Sequence, residues 1–186
     1  MSDERPIGIF DSGLGGLTVA RELFRLMPGE RIIYLGDTAR CPYGSRSEKT
    51  IQLFGRQDAT FLMEKEIKML IVACNTVSSV ALDHIRSHMK NLPVIGVVAP
   101  GARAAVLRTA EKKIGVIGTR ATVGAGSYTK AIQNIDANIQ VFGQACPLFV
   151  PLVEEGLADT DICRKTVQHY LYDLVDSGID CLILGC

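Results

Sequence analysis

Two cysteines stand where apolar, strand-like segments end in polar or glycine-containing turns. Cys74 lies in Val72-Ala73-Cys74-Asn75-Thr76, and Cys186 ends the segment Ile183-Leu184-Gly185-Cys186. In open α/β sheets, ligands bind at the carboxyl ends of the strands. Two thiols at such ends, one from each half of the chain, could face one substrate from opposite sides. This arrangement favours a reaction that removes a proton from one face of a carbon and returns a proton to the other.

The residues around Cys74 suit an anionic substrate. Cys74 precedes a predicted helix, and a helix N-terminus lowers a thiol pKa from about 8.5 towards neutrality. The free N–H groups of the same helix bind carboxylates, and Asn75 and Thr76 can add side-chain donors. The alternative is a capped helix beside a buried, inert cysteine, and these residues alone do not decide between the two.

A glycine-rich segment, Asp11-Ser12-Gly13-Leu14-Gly15-Gly16, follows the first predicted strand and precedes a helix. Its glycines are not spaced as in the dinucleotide fingerprint G-x-G-x-x-G, and no Gly-Lys-Ser/Thr occurs in the chain, which excludes a Walker phosphate loop. The glycines more plausibly let the backbone approach a small ligand closely. Asp11 then either points at that ligand or caps the helix.

Other polar residues are candidates for the functional site, but each also has a purely structural interpretation. Glu154 either reaches the site or is a solvated surface charge. Tyr43 and Gly44 either close the site or form a simple turn. Thr119 and Thr122 either donate hydrogen bonds after the fifth strand or cap the next helix.

The remaining cysteines and the histidines give no metal-ligand spacing, since no Cys-x-x-Cys pair occurs. We predict no metal site and no cofactor. Cys41 is left undecided. The others are interpreted as buried inert thiols or as structural histidines: Cys146, Cys163, Cys181, His84, His88 and His169.

The composition limits the classes of partner. The chain has 20 basic and 20 acidic residues and a net charge of +0, which favours neither nucleic acid nor a membrane surface. The N-terminal segment is polar and lacks the apolar core of a signal peptide. We therefore expect a cytoplasmic protein with a small-molecule substrate. A homodimer is compatible with the sequence, which does not fix the oligomeric state.

Short apolar segments alternate with helical patterns, and this alternation predicts βαβ units and parallel sheets. A capping box, Ser45-x-x-Glu48, predicts a helix over about 47–66, and Ala99-Pro100-Gly101 interrupts the pattern near the middle. Two helix faces are predicted, one from Val19, Leu23, Leu26 and Met27 and one from Val167, Leu171, Leu174 and Val175. The predicted strands are Ile7–Phe10, Arg31–Leu35, Met69–Ala73, Val94–Val98, Lys113–Ile117, Gln140–Gly143 and Cys181–Leu184.

The predicted fold class is α/β, with two similar open parallel-sheet lobes and the active site in the cleft between them. The first lobe, 1–98, carries Asp11 and Cys74, and the second, 99–186, carries Glu154 and Cys186. The chain stops two residues after a strand of the buried type, with no following helix. We therefore expect it to be C-terminally truncated and the second lobe to be incomplete.

Five segments together resemble the glutamate racemases of the aspartate/glutamate racemase family, in the family's order and over essentially the whole chain. They are Ile9–Gly16, Gly36-Asp37 with Pro42-Tyr43-Gly44, Val72–Thr76, Cys146–Pro151 and Leu184–Cys186. The resemblance implies cofactor-independent interconversion of L- and D-glutamate. It also implies a supply of D-glutamate for peptidoglycan, and so a role in cell wall biogenesis and cell shape.

The same resemblance implies roles for individual residues. Cys74 and Cys186 would be the two acid/base thiols, with Asp11 assisting Cys74 and Glu154 assisting Cys186. The residues that would bind substrate are Asp11, Ser12, Tyr43, Gly44, Asn75 and Thr76.

The chain departs from the family after Cys186, where the family continues with Thr-His-Tyr-Pro. We expect residues 1–186 alone to be inactive or misfolded. Three other functions stay open at this point. They are a racemase of another amino acid such as aspartate, a nucleotide-binding enzyme, and a non-catalytic amino-acid-binding protein.

Overall fold

Strands and helices alternate along the chain, as the sequence predicts. The structure is a computed structural model that describes residues 3–186, so the first two residues of the predicted first lobe lie outside it. All seven predicted strands are present, with ends that differ by up to two residues. The strands are β1 (Ile7–Asp11), β2 (Ile32–Gly36), β3 (Met69–Val72), β4 (Val94–Gly96), β5 (Lys113–Gly118), β6 (Gln140–Ala145) and β7 (Cys181–Leu184).

Nine helices connect and follow these strands within residues 3–186. None of these helices is long and apolar enough to cross a membrane. The helices are α1 (Leu17–Leu26), α2 (Glu48–Met63), α3 (Asn75–Val80), α4 (Leu82–His88), α5 (Val98–Val106), α6 (Arg120–Gly124), α7 (Ser127–Gln133), α8 (Phe149–Glu154) and α9 (Asp161–Asp176).

The chain divides into two compact units, of which the first ends at Val97 and the second is Val98–Cys186. The first contains a sheet with the strand order β2-β1-β3-β4, and the second contains a sheet with the order β6-β5-β7. Every pairing in both sheets is parallel. The predicted α/β class with two parallel sheets is therefore confirmed.

The core of the first unit forms around β1, whose five residues are all buried. Such a continuous buried run is typical of a central strand in a parallel sheet, which is covered on both faces. Val19 and Leu23 of α1 pack against one face, as predicted. Leu26 and Met27, predicted to lie on the same helix face, are instead 64% and 39% exposed, because α1 ends at Leu26.

The start of α2 corrects the predicted capping box. The N-cap is Ser47, not Ser45, and its hydroxyl accepts a hydrogen bond from the Thr50 N–H at 3.2 Å. The helix also ends at Met63, three residues before the predicted end. Glu66 has a φ of 53°, which lies in the left-handed region and cannot continue a right-handed α-helix. The sequence offers two serines within reach of the first turn, and only the backbone path decides which one caps.

This cap gives a stability prediction with an internal control. We expect Ser47→Ala to lower the free energy of unfolding by about 1 kcal/mol, because one N–H of the first turn loses its partner. Ser45→Ala should leave the free energy of unfolding unchanged within about 0.5 kcal/mol. Urea denaturation of the two variants beside the wild type measures both values. An equal loss in both variants would contradict the assignment of the cap.

The predicted interruption at Ala99-Pro100-Gly101 is wrong, because these residues lie inside α5. Pro100 is the third residue of that helix, where the missing N–H has no intrahelical acceptor in any case. The preceding strand β4 ends at Gly96 rather than at the predicted Val98. Val98, assigned to the first lobe from the sequence, is instead the first residue of the second unit.

In the second unit, α5 and α7 pack against one face of the sheet, and α9 contributes to the core on the other face. On α9, Leu174 is buried, whereas Val175, predicted on the same face, is 71% exposed. Within residues 3–186, β7 pairs with β5 alone, and Leu184 is 67% exposed. The strand β7, predicted to be of the buried type, is therefore only partly buried in this structure.

Candidate functional site

The turn that follows β1 is held tightly against the sheet. The Asp11 carboxylate accepts a hydrogen bond from the Gly13 N–H at 3.0 Å, and Asp11 is buried. The Tyr34 hydroxyl donates to the Gly13 carbonyl at 3.1 Å. A Cβ atom at Gly16 would lie 2.5 Å from the Asp11 Cβ, so this close approach requires glycine. Asp11 braces the turn and does not cap α1, whose N-cap Gly16 makes no side-chain capping bond.

Cys74 is the N-cap of α3, and its side chain faces this turn. The thiol donates a hydrogen bond to the Ser12 hydroxyl at 3.3 Å, and the residue is 4% exposed. Strands β1 and β3 are direct neighbours in the sheet. Their carboxyl ends therefore bring Asp11, Ser12 and Cys74 together within the first unit.

Burial, followed by the negative charge of Asp11, raises the pKa of the Cys74 thiol to about 12. Hydrogen bonds from the Ser12 side chain and from the backbone N–H groups of Val77 and Ser12 lower this pKa in part. The prediction that the helix N-terminus brings the pKa towards neutrality is wrong, because α3 has only six residues and desolvation outweighs it. Cys74 is therefore a thiol at neutral pH in this structure.

The other predicted binding residues of the first unit differ in whether their side chains are accessible to a ligand. Asn75 and Thr76 open α3, Asn75 half-buried and Thr76 buried. Tyr43 is 1% exposed, and its hydroxyl bonds to the carboxylates of Asp37 and Asp58. The Tyr43 side chain is thus part of the core, and the Tyr43–Gly44 segment can offer a ligand its backbone but not this hydroxyl.

Cys41, left undecided from the sequence, is half-buried beside the Asp11 turn. A Cβ atom at Gly13 would lie 3.4 Å from the Cys41 sulfur. The structure thus places a second thiol of the first unit close to the turn that holds Cys74.

In the second unit, Cys186 follows β7 and is exposed. The preceding Gly185 donates a backbone hydrogen bond to the Ile117 carbonyl at 2.7 Å. A Cβ atom at Gly185 would lie 2.6 Å from that same oxygen, so only glycine allows the approach. Burial, followed by the charge of Cys186, raises the pKa of Tyr128 to about 12. Gly185 therefore holds Cys186 at the carboxyl end of β5, near a buried tyrosine.

Thr119 fulfils the capping alternative, whereas Thr122 lies within the helix that Thr119 caps. Thr119 is the N-cap of α6, and its hydroxyl accepts a hydrogen bond from the Thr122 N–H at 3.1 Å. Thr122 is 1% exposed. A Cβ atom at Gly118 or Gly185 would lie 3.1 or 3.5 Å from the Thr122 methyl group, so Thr122 packs under the segment that ends in Cys186.

Glu154 is the last residue of α8 and is exposed. Its predicted role beside Cys186 stays a prediction. Among the cysteines interpreted as inert, Cys146 is buried, but Cys163 and Cys181 are half-buried, which corrects that interpretation for these two.

Four residues that support the site had no role assigned from the sequence. Tyr34 fixes the Asp11 turn, and Asp37, Arg40 and Asp58 surround the Tyr43 hydroxyl. Asp58 carried a usable signal, because it stands seven residues after Ile51 and four before Leu62, both buried on α2. A carboxylate on the apolar face of a helix indicates a buried partner.

The two proposed thiols should differ sharply in their reactivity with iodoacetamide at pH 8. A thiol whose pKa is about 12 is ionised to about one part in 10⁴ at that pH, and the thiolate is the reacting species. We expect Cys74 to be alkylated at least about a hundredfold more slowly than the exposed Cys186. Mass spectrometry of the peptides over time measures both rates. Equal rates would contradict the burial and pKa given for Cys74.

Comparison with known proteins identifies relatives over the whole chain. The model of the Asp/Glu/hydantoin racemase family matches residues 8–186. The glutamate racemase of Chlorobaculum tepidum is 50% identical over 186 residues, which are 100% of this chain and 68% of that protein. The chain thus spans about two thirds of the length of this relative.

Solved structures of glutamate racemases share the fold. The enzyme from Francisella tularensis subsp. tularensis in complex with D-glutamate has a TM-score of 0.94 and 43% sequence identity, over 100% of this chain and 69% of that one. A glutamate racemase isoform from Bacillus anthracis has a TM-score of 0.95 and 44% identity, again over 100% and 69% of the two chains.

Proposed function

This chain belongs to the Asp/Glu/hydantoin racemase family, and from that premise we propose that it interconverts L- and D-glutamate without a cofactor. The observation that carries the proposal is the Cys74 thiol, held beside Ser12 and Asp11 at the start of α3. The second thiol, Cys186, follows β7 in the other unit. Identity of 50% to a glutamate racemase over the whole chain supports glutamate as the substrate.

The proposed chemistry is a proton exchange at the α-carbon. One cysteine, as a thiolate, takes the α-proton, and the electrons of the C–H bond pass to the carbon and its carboxylate. The other cysteine, as a thiol, delivers its proton to the opposite face of the same carbon. The products are the other enantiomer and the same two sulfurs with thiol and thiolate exchanged, so the reverse reaction uses the same groups.

The resting state assigns the first roles. Because the pKa of Cys74 is about 12, Cys74 begins as the proton donor, and in that direction of the reaction we propose that Cys186 takes the α-proton. We propose that Asp11 binds the α-ammonium group of the substrate. An ammonium beside Asp11 offsets the negative charge that raises the Cys74 pKa, so substrate binding itself makes the Cys74 thiolate more accessible.

The carboxylates of the substrate need donors, and the first unit offers them without an arginine. We propose that Asn75, Thr76 and the backbone N–H groups of Tyr43 and Gly44 bind these oxygens. Donors aimed at the α-carboxylate also stabilise the enolate-like charge that develops as the α-proton leaves. In the second unit, Thr119 and Thr122 support the segment that ends in Cys186, and Glu154 assists Cys186 in exchanging its proton.

The physiological role follows from the proposed product. We propose that the complete protein supplies D-glutamate for peptidoglycan in the cytoplasm, and so contributes to cell wall biogenesis and cell shape. This role rests on the family and on glutamate as the substrate.

Circular dichroism of glutamate over time tests the proposal with the complete protein. We expect the signal of L-glutamate and that of D-glutamate to decay to zero, the signature of a racemic mixture. Aspartate under the same conditions should change far more slowly. Faster turnover of aspartate would mean that aspartate, not glutamate, is the substrate. Binding of glutamate without any change of signal would indicate a non-catalytic binding protein.

A further inference from the structure

A cluster of four polar side chains lies under the Tyr43–Gly44 segment in the first unit. The Tyr43 hydroxyl bonds to the carboxylates of Asp37 and Asp58, the latter at 3.0 Å. The Arg40 guanidinium bonds to Asp37 at 2.6 Å and to Asp58 at 2.7 Å. Asp58 lies on α2, whereas the other three belong to the connection between β2 and α2. Asp58 therefore fastens this connection to a helix.

The number of protons in the cluster does not match the number of contacts. The Tyr43 hydroxyl carries one proton, yet carboxylate oxygens of both Asp37 and Asp58 lie within hydrogen-bond distance of it. With both carboxylates ionised, the hydroxyl donates to both and shares its one proton between them. A protonated Asp58 would instead donate to the tyrosine oxygen and leave the hydroxyl proton to Asp37. Without the proton on Asp58, the two ionised carboxylates repel each other.

The charge balance indicates the same additional proton. Asp37 and Asp58 are 9% and 3% exposed, and their charged partner in the cluster is Arg40. Two ionised carboxylates and one guanidinium leave a net negative charge in a buried place, which is unfavourable. One bound proton makes the cluster neutral. Burial, together with the charge of Asp37, raises the pKa of Asp58 to about 6, although Tyr43 and Arg40 act against this rise.

The cluster is continuous with the site. The Asp37 N–H donates to the Asp11 carbonyl at 2.9 Å, next to the β1–β2 pair Asp11 and Gly36. The Tyr43 ring packs on Phe54 of α2 with ring centroids 5.3 Å apart. The position of the Tyr43–Gly44 backbone therefore depends on bonds that end at Asp58.

We propose that Asp58 is a positioning residue for the substrate-binding segment Tyr43–Gly44, and that it holds the Tyr43 hydroxyl as a carboxylic acid. The inference rests on the proposed function, in which this segment binds a substrate carboxylate. Asp58 touches no substrate; it acts through Tyr43. As the pH rises through about 6, Asp58 loses its proton and this hold weakens.

Three variants of the complete protein test the proposal through the KM for glutamate. Asp58→Ala and Tyr43→Phe each remove the contact, and each should raise KM about three- to tenfold at pH 5.5 with kcat within about twofold. Asp58→Asn keeps an N–H donor towards Tyr43 and mimics the protonated acid. It should keep the wild-type KM of pH 5.5 and lose the rise in KM that the wild type shows towards pH 8. Asp83→Ala, which removes an exposed carboxylate of the same unit, is the matched control.

Hydrogen exchange gives a second readout that needs no activity. The Arg46 N–H bonds to the Tyr43 carbonyl, and the Arg40 N–H bonds to the Asp37 carbonyl. Both should exchange faster in Asp58→Ala and Tyr43→Phe than in Asp58→Asn or the wild type at pH 5.5. If the wild type does not racemise glutamate, the proposed function fails. The hydrogen-exchange experiment still tests whether Asp58 holds the Tyr43–Gly44 segment in place. Asp58→Asn behaving like Asp58→Ala, or a loss of kcat with unchanged KM, would overturn the proposal.

Discussion

Cys74→Ser and Cys186→Ser, each in the complete protein, should reduce racemisation of both L- and D-glutamate at least about a thousandfold. A serine hydroxyl is a far weaker acid than a thiol, so it neither takes the α-proton nor returns one at neutral pH, and general acid–base catalysis contributes about 10²–10⁴ in rate. Both directions fail together because each turnover needs one thiol as base and the other as acid. Circular dichroism of each enantiomer over time measures the rates.

The chain provides a matched control for this loss. Cys163 lies half-buried on α9 and has no proposed role, so Cys163→Ser should keep the wild-type rates. Unchanged rates in either Cys74→Ser or Cys186→Ser would mean that the replaced sulfur does not exchange the α-proton. An equal loss in Cys163→Ser would trace the effect to stability rather than to chemistry.

Asp11→Asn should change two properties of the site in opposite directions. The racemisation rate should fall about a hundredfold, because the substrate ammonium loses its charged partner. The alkylation of Cys74 by iodoacetamide should become faster, because the Asp11 charge raises the pKa of that thiol and the amide does not. A lower pKa gives more thiolate at a given pH, so the curve of alkylation rate against pH moves to lower pH. At a fixed pH below the pKa, the rate rises about tenfold for each unit by which the pKa falls.

Ser12→Ala should shift the Cys74 pKa in the opposite direction from Asp11→Asn. When Cys74 is a thiolate, the Ser12 hydroxyl donates a hydrogen bond to its sulfur, so loss of this hydroxyl should raise the Cys74 pKa and slow the alkylation. Rates of Cys74 modification by mass spectrometry separate the three proteins in the order Asp11→Asn, wild type, Ser12→Ala. The reverse order would contradict the assigned influence of both side chains on the thiol.

The sequence predicts the elements of this fold well where local pattern decides. Apolar runs of strand length predicted all seven strands. The pattern is clearest in β1, which is buried along its whole length as a central strand of a parallel sheet. The sequence-based prediction failed where several residues satisfy the same rule for a helix start or a helix break. Ser45 and Ser47 both fit a cap for α2, and Pro100 fits either a break or the first turn of a helix.

For the candidate site, the sequence predicted which residues lie near one another but not their environments. Asp11, Ser12 and Cys74 were predicted to share a site, and hydrogen bonding and charge connect them in the structure. The high pKa of Cys74 was not predictable, because it depends on how completely the folded chain excludes water from one sulfur. Tyr43 was assigned to the site by its motif, but its side chain points into a polar cluster completed by Asp58, fifteen residues further along.

Deuterium incorporation at the α-carbon tests two-thiol proton exchange most directly. The complete protein is incubated with each pure enantiomer of glutamate in deuterated water, and both enantiomers are analysed by mass spectrometry before equilibrium. We expect the product enantiomer to carry one solvent deuterium while the remaining substrate keeps its hydrogen, because the base that takes the proton differs from the acid that delivers one. Equal labelling of substrate and product, or no labelling of either, would contradict the exchange of protons between Cys74 and Cys186 through one α-carbon.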